Sequence, residues 1–292
     1  MKSITKHNLP ITVLLAVKNE AINLPRCLSA TAPAARVVVL DSHSTDATAE
    51  VAVENGAEVV QFDYQGGYPK KRQWALEHIA IETPWVLLLD ADEVVPETLW
   101  REIASVVGQP SACDAYLITK GFHFLGRRFR YGGFSHAAVL LFRTGTAHFE
   151  RLFEDEPDSL DMEIHERVVV QGSIGELRTP LIHEDFKGLE AYITRHNKYS
   201  TWEARVRSRY LATGHYGEDT IAPRLFGNAQ ERRRLLKTLI VRVPFEQHLW
   251  FVYHYVIRLG FLEGRPGLIA CQIRASYIAQ TRAKIYEMQS VH

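Results

Sequence analysis

The sequence predicts an α/β protein built on a doubly wound, mostly parallel sheet with a mixed extension and a C-terminal helical region. Three observations carry that prediction. Strand-like and helix-like runs alternate through residues 11–107. One of them, Trp85 to Leu89, is apolar at every position, the pattern of a strand buried on both faces, and it stops abruptly at Asp90-Ala91-Asp92. From Gly188 onward the strand signals cease and helical spacing takes over.

The elements follow in order. Residues 11–17 read as the first strand and 22–30 as a short helix. Residues 36–40 form the second strand. Ser44 or Thr45 is placed to cap the next helix, which runs to Asn55-Gly56, with Asp46 in its first turn where the dipole favours a carboxylate. Residues 58–62 are the third strand. Pro69 suits the first position of a helix reaching Ile81, because its missing N–H costs nothing there. Residues 85–89 are the fourth strand and 96–107 the helix after it. Beyond Pro110, residues 116–124 and 137–143 read as strands around a loop at 126–135. Two more strands, 164–170 and 174–177, join at Gln171-Gly172-Ser173. Residues 243–262 and 267–278 read as two amphipathic helices. His254 and Arg258 break the first and Gln272 and Arg274 the second, so neither spans a membrane. The expected division is a unit at 1–187 and a helical region at 188–292.

With 292 residues, 46% of them hydrophobic, the chain supports one large domain or a domain with an appendage. Its formal charge is zero but uneven. Residues 224–292 hold 11 Lys+Arg and 4 Asp+Glu, a net of +7, which leaves −7 on the rest. A basic end on an acidic body points to contact with an anionic surface; nucleic acid is not expected as a partner. Cys27, Cys113 and Cys271 are far apart and in no metal spacing, as for reduced thiols of a cytosolic protein. The polar start, Met1 to His7, lacks the apolar core of a signal, so a cytoplasmic location is expected.

There is no G-x-G-x-x-G after the first strand and no G-x-x-x-x-G-K-[ST]; Lys18-Asn19-Glu20 stands there instead. That argues against a dehydrogenase and a P-loop enzyme. In a doubly wound sheet the strand ends gather at one edge. Four segments should meet there: residues 16–20, 40–46, 68–73 and 90–92. Two carboxylates flanking a small Ala are hard oxygen ligands for a divalent cation carrying phosphates.

In this order and at these spacings, the four segments resemble an inverting family 2 glycosyltransferase of the GT-A fold. That family shows a first strand ending in x-x-x-N-E, here Ala16-Val17-Lys18-Asn19-Glu20, then V-D-[DS]-x-S-x-D, here Leu40-Asp41-Ser42-His43-Ser44-Thr45-Asp46. An Arg-bearing helix (Arg72) and D-x-D (Asp90-Ala91-Asp92) follow, and the match covers roughly 11–97. The resemblance implies a UDP-sugar donor and a divalent metal, Mg²⁺ or Mn²⁺. It sets Val17, Asn19, Glu20, Asp41, Ser42, Lys70, Arg72, Asp90 and Ala91 at the nucleotide sugar. Asp92 becomes the direct metal ligand, with Asp90 on the ribose or on the metal through water. The residue chemistry agrees. Asp41 can accept from the imide of uracil, Asn19 and Glu20 can meet base or ribose, and Lys70 and Arg72 can counter a diphosphate. Lys71 reads as a solvated helix face and Asp46 as a cap. The metal's work would be to stabilise the departing nucleoside diphosphate.

Inversion needs a base on the sugar face opposite the leaving group. The segment Asp161-Met162-Glu163-Ile164-His165-Glu166-Arg167 resembles a V/I-H-E stretch of related bacterial transferases, followed there by G-x-[VI]-G-x-L and a later His. Here those pieces are Gly172 to Leu177 and Pro180-Leu181-Ile182-His183. The resemblance implies Glu166 as base with Glu163 as substitute. His165 would position the acceptor, and His183 would be a further metal ligand, an imidazole suiting Mn²⁺. The chain departs from the family in lacking the E-D pair that many members use as base. The loop at 127–134 is basic and aromatic, and its Arg128 and Tyr131 suit an acceptor carrying phosphates and sugar rings.

Gly260-Phe261-Leu262-Glu263-Gly264 resembles a segment of transferases of lipopolysaccharide core and capsule assembly, whose acceptor is a lipid. With Arg232-Arg233-Arg234 and Lys237 ahead of it, the C-terminal part is expected to lie on the inner face of the cytoplasmic membrane, to pack on the catalytic unit, or to form a homo-oligomer. The function implied is transfer of a hexose, foremost glucose from UDP-glucose, to a glycolipid, lipopolysaccharide-core or other cell-surface polysaccharide acceptor, as in bacterial lipopolysaccharide core β-glucosyltransferases. A sugar-phosphate nucleotidyltransferase would want a glycine-rich basic loop after the first strand. A non-catalytic carbohydrate-binding scaffold is disfavoured by the intact Asp90/Asp92 pair.

Overall fold

The computed structural model describes residues 8–152, 161, 163, 166–217 and 220–290. Strands β1 (Leu9–Val17), β2 (Ala34–Asp41), β3 (Glu58–Gln61) and β4 (Trp85–Leu89) run parallel in the order β3-β2-β1-β4. Helices α1 (Leu24–Ser29), α2 (Thr48–Glu54) and α3 (Lys71–His78) connect them, and α4 (Glu97–Val107) follows β4. The chain winds outward from β1 to β3 and then returns to lay β4 on the other side of β1. That reversal opens a crevice at the carboxyl ends of β1 and β4. Register brings those ends level: Val17 pairs with Asp41, Asp41 with Gln61, and Leu15 with Leu89. Every residue of β4 and of β1 from Ile11 on is buried, as both faces of the sheet are covered. Leu99, Trp100 and Ile103 of α4 cover part of it, their spacing forming one apolar stripe.

The mixed extension continues from β4. Antiparallel β8 (His136–Arg143) comes next, then β6 (Ala115–Phe124), β12 (Leu181–His183) and β5 (Glu93–Val94). Strands β7 (Arg127–Arg128) and β11 (Ile174–Glu176) also pair with β6, while β9 (Ala147–Phe149) and β10 (Val168–Val170) form a separate ladder. Strands β10 and β11 therefore follow each other without pairing. Only 168–170 of the expected 164–170 strand is observed among the described residues. Strands β5, β7, β9 and β12 are two or three residues long, too short for a period-2 pattern to register. Two helix starts also differ. Helix α2 begins at Thr48, because the Ser44 and Thr45 side chains and N–H groups are used by Asp41 and by Asn19 of the loop after β1. Helix α3 begins at Lys71, after a cis Tyr68–Pro69 peptide, so Pro69 lies outside it.

The C-terminal region consists of α5 (Gly188–Thr213), α6 (Ala229–Ile240), α7 (Glu246–Val252), a π turn (Tyr253–Ile257), a 3₁₀ turn (Gly260–Glu263) and α8 (Gly264–Ser290). The first expected amphipathic helix is thus three short pieces and the second a long one. Helix α8 buries Ala270, Cys271, Tyr277, Ile278, Thr281 and Ile285 and packs along α5, so it rests on protein. Between these helices Arg207 donates to Glu203 at 2.8 Å and to Glu246 at 2.8 Å, and the Tyr277 hydroxyl donates to Glu203 at 2.5 Å. All four side chains are buried. Among the described residues no helix is long and apolar enough to cross a membrane.

Candidate active site

The Asp90-Ala91-Asp92 turn leaves β4 between two elements that treat its carboxylates differently. The guanidinium of Arg72 ion-pairs with Asp90 Oδ1, and Lys120 Nζ donates to Asp90 Oδ2 at 2.8 Å. Lys120 also meets the buried Glu93 at 2.5 Å. Burial works against a charge on Asp90, but Lys120 and Arg72 outweigh it and hold its carboxyl well below the usual carboxylate range. Asp92 has neither cation beside it. Its Oδ2 lies 3.2 Å from His183 Nε2, which β12 delivers by pairing His183 with Glu93. Burial opposes a proton on His183, yet Asp92 pushes its pKa up to about 9. Asp92 and His183 thus form a carboxylate–imidazole pair, while both oxygens of Asp90 are engaged. Among the described residues no group of three or more His, Cys, Asp and Glu side chains is arranged to hold a metal ion. One carboxylate and one imidazole, which would give up its proton to the metal, fit a cation that takes its remaining ligands from water and diphosphate oxygens.

The start of α3 is the hub of the site. Lys70 is buried, ion-pairs with Glu166 and lies with its Nζ 4.0 Å above the Trp202 ring. Lys71 is not a solvated helix face: it is 1% exposed, and its Nζ donates to the Val17 carbonyl at 2.6 Å with Asp161 at 3.3 Å. Burial lowers its pKa, with Asp161 opposing. Arg72, beyond its pair with Asp90, donates from NH1 to the Glu163 carbonyl at 2.9 Å. The Glu163 carboxylate in turn accepts from the backbone N–H groups of Arg72 (3.1 Å) and Gln73 (2.9 Å). It therefore caps the helix, where the orphan N–H groups and the dipole favour an anion. The consecutive residues 70–73 thereby tie together β1, the turn after β4 and residues 161–166.

The loops after β1 and β2 brace each other. Asn19 sits at φ +55°, a conformation that Asn tolerates better than most residues. Its Oδ1 accepts from Thr45 N at 2.8 Å, and its N–H donates to Ser44 Oγ at 2.8 Å. Asp41 is 1% exposed and accepts from the Ser44 N–H and hydroxyl and from Gln61 Nε2 at 3.2 Å. Asp46 accepts from the Thr48 N–H at 3.1 Å and from Ala21 N at 3.2 Å, so it steadies the start of α2 and the other loop at once. Glu20 is held by Lys187 at 2.5 Å and Asn23 at 2.9 Å. Val17, Ser42 and Ala91 are buried at the same strand ends.

Glu166 and Glu163 both come to this edge, one paired with Lys70 and the other spent as a helix cap. His165 lies outside the described residues. Arg128 and Tyr131 are exposed on the hairpin, but that hairpin is clasped. Glu263, 1% exposed, accepts from the N–H groups of Arg130 (2.6 Å) and Tyr131 (2.7 Å) and from Arg127 Nε (2.7 Å). Gly132, at φ +79°, donates to the Arg258 carbonyl at 2.8 Å. A Cβ there would come within 2.9 Å of the Phe134 ring, so the close approach needs glycine. The Gly260–Glu263 segment is the other half of this clasp. A cleft of about 540 Å³ at the opposite edge of the sheet, lined by Ala34, Arg36, Asn55 and Glu58 among others, brings together no such chemistry. The roles of Lys71, Lys120 and Glu93 are not legible in the sequence. The one signal is Lys120, a lone charge inside an otherwise strand-like run.

The family model for glycosyl transferase family 2 matches residues 12–162. The lipopolysaccharide core biosynthesis glycosyltransferase LpsC of Rhizobium meliloti strain 1021 is 26% identical over 296 residues, covering 97% of this chain and 94% of LpsC. Among solved structures, that of S. aureus TarS 1–349 is 17% identical, with a TM-score of 0.43 over 97% of this chain and 92% of that one. Glucosyl-3-phosphoglycerate synthase from Mycobacterium tuberculosis, solved with Mn²⁺, UDP and glucosyl-3-phosphoglycerate, is 25% identical, with a TM-score of 0.31 over 40% of this chain and 45% of that one.

Proposed function

The chain belongs to glycosyl transferase family 2, and on that premise we propose that it moves a hexose, foremost glucose from UDP-glucose, with inversion onto a glycolipid or lipopolysaccharide-core acceptor. The observation that carries this reading is the meeting of residues 17–20, 41–46, 70–73 and 90–92 at one sheet edge. Asn19, Glu20, Asp41 and Ser42 supply the nucleoside side of the crevice. Val17 and Ala91 form its floor, and Lys70 and Arg72 supply positive charge for the diphosphate. Asp92 and His183 would hold Mg²⁺ or Mn²⁺, which when bound offsets the charge of the departing nucleoside diphosphate. Asp90, fixed by Arg72 and Lys120, serves the ribose or a water in that site. Glu166 takes the proton from the acceptor hydroxyl, with Lys70 orienting the carboxylate. Glu163, used as a helix cap, is the weaker candidate. Arg128 and Tyr131 remain candidates for acceptor contact.

We also place the protein at the inner face of the cytoplasmic membrane. Leu249, Val252, Tyr253, Val256, Ile257, Leu259, Phe261 and Leu262 are each more than 40% exposed and nearly consecutive, with exposed Arg258 and Arg265 among them. An apolar patch rimmed by cations matches an anionic bilayer surface. LpsC, a relative whose length this chain nearly spans, is named for lipopolysaccharide core biosynthesis, which agrees with a lipid-borne acceptor. The test is nucleoside diphosphate release from UDP-, GDP- and ADP-sugars with Mn²⁺. Release from UDP-glucose above the others is expected. Release from GDP- or ADP-sugars alone would reassign the donor, and none from any donor, with UDP still bound, would favour a carbohydrate-binding scaffold.

A further inference from the structure

Neither donor binding nor proton transfer draws on Lys120 directly, yet its ammonium joins two segments of the site. Lys120 stands on β6, and register sets it opposite His136 of β8 on one side and Leu181 of β12 on the other. It therefore belongs to the interior of the sheet, and its side chain is 12% exposed. Nζ donates to Asp90 Oδ2 at 2.8 Å and ion-pairs with Glu93 Oε1 at 2.5 Å. Strand order gives the second contact its meaning. Strand β12 lies between β6 and β5, so the Lys120–Glu93 pair reaches over the strand that carries His183 and ties its two neighbours together.

The backbone alone gives that neighbourhood little support. The β5–β12 ladder is two residue pairs long, Ile182 with Val94 and His183 with Glu93. The turn that carries Asp92 closes through Glu93 N to the Asp90 carbonyl at 3.0 Å and Asp90 N to Glu93 Oε2 at 2.9 Å. Its link to β12 is Glu184 N, which donates to the Asp92 carbonyl at 2.9 Å. Glu93 is 0% exposed, and among the described residues its Oε1 accepts no hydrogen bond, so Lys120 is what answers the burial of that oxygen. Gly121 lets β12 approach beside it, since a Cβ there would lie 2.7 Å from the Leu181 carbonyl oxygen. A buried ion pair adds little net stability over apolar packing, and fixing one arrangement is its best-attested use. The arrangement fixed here is the turn bearing Asp92, whose Oδ2 lies 3.2 Å from His183 Nε2.

We propose that Lys120 is a positioning residue of the metal site: by bridging β6 to β5 across β12 and holding Asp90, it keeps Asp92 and His183 within reach of one divalent cation. This rests on the donor reading and deepens it, because it assigns the preorganisation of the site to a strand residue that touches neither nucleotide nor metal. Carboxylate and imidazole ligands owe their orientation to the groups behind them, and losing such a group weakens metal affinity about 10–100-fold.

The test is calorimetric titration of the full chain with UDP, with and without Mn²⁺, in the parent and three variants. Mn²⁺ should tighten UDP binding in the parent. Lys120→Met should reduce that metal-dependent gain by about tenfold or more, while UDP affinity without metal moves by no more than about twofold. Lys120→Arg should keep part of the gain, since a guanidinium can bridge the same two carboxylates. Lys120→Met combined with Glu93→Gln removes the stranded charge together with the ammonium and leaves an acceptor for Asp90 N. It should melt closer to the parent than Lys120→Met does and still lack the gain, which separates positioning from the cost of an unpaired buried charge. A full Mn²⁺ gain in Lys120→Met, or one restored in the double variant, overturns the proposal and leaves the donor reading standing. Weakened UDP binding without metal in Lys120→Met makes Lys120 a direct nucleotide contact and also overturns it. A parent whose UDP binding ignores Mn²⁺ breaks the metal reading, and the proposal falls with it.

Discussion

At the sheet edge, Asp90 faces Arg72 and Lys120, Glu93 faces Lys120, Glu166 faces Lys70, and Glu20 faces Lys187. In the helical region Arg207 balances Glu203 and Glu246 in the same way, but Leu249, Val252, Val256, Ile257 and Phe261 stay exposed. The sheet edge satisfies its polar groups from within the chain; the helical region does so in its interior and leaves apolar side chains at its surface. At the sheet edge Asp92 is the exception: its near partner is an imidazole rather than a lysine or arginine, and this is why the proposed metal is assigned to it.

The contrast between the two regions breaks most sharply at Asp92. Asp92→Ala should lower transfer by about 10³-fold or more and remove metal-dependent UDP binding; full activity in a steady-state assay would end the metal role. Glu166→Gln should still bind UDP-glucose but turn over about 10²-fold more slowly or worse, as single-turnover kinetics would report. Arg207→Met leaves Glu203 and Glu246 buried without their shared cation and should cost about 3–5 kcal/mol in denaturant unfolding. Lys71→Met strands the Val17 carbonyl and Asp161 and should cost about 2–3 kcal/mol in the same assay. Unfolding curves that superimpose on the parent would show that neither buried cation holds its own region together. The smallest effect concerns the membrane. Leu249→Glu with Ile257→Glu should weaken binding to anionic vesicles by about tenfold in a flotation assay while leaving UDP affinity unchanged. Undiminished flotation would remove this patch from the interface.

The catalytic half is far more legible in the sequence than the helical half. Buried parallel strands are uniformly apolar and end at polar loops, so β1, β2 and β4 announce themselves and name Asn19, Asp41 and Asp90-Ala91-Asp92 at their tips. Lys71 reads wrongly as solvated because a lysine at a helix start has the same local signature whether its ammonium reaches water or a carbonyl 54 residues away. Glu163 and Glu166, three residues apart, look interchangeable as bases; their partners, the α3 N–H groups and Lys70, come from another part of the chain. The C-terminal helices show their apolar content but not which faces meet α5 and which meet solvent.

By itself the sequence determined the α/β class, the strands that carry the site and the kind of residue at each tip, because periodicity and turn chemistry act between neighbours. It also held the Gly260–Glu263 motif, without its meaning. Only the tertiary structure decided that Glu263 clasps the 127–134 hairpin, that Asp90 is spent on Arg72 and Lys120 while Asp92 is left to His183, and that the Lys71 ammonium turns inward to the Val17 carbonyl. Those outcomes depend on which distant charges come within a few ångströms of one another in a poorly solvated space, and distance along the chain does not encode that.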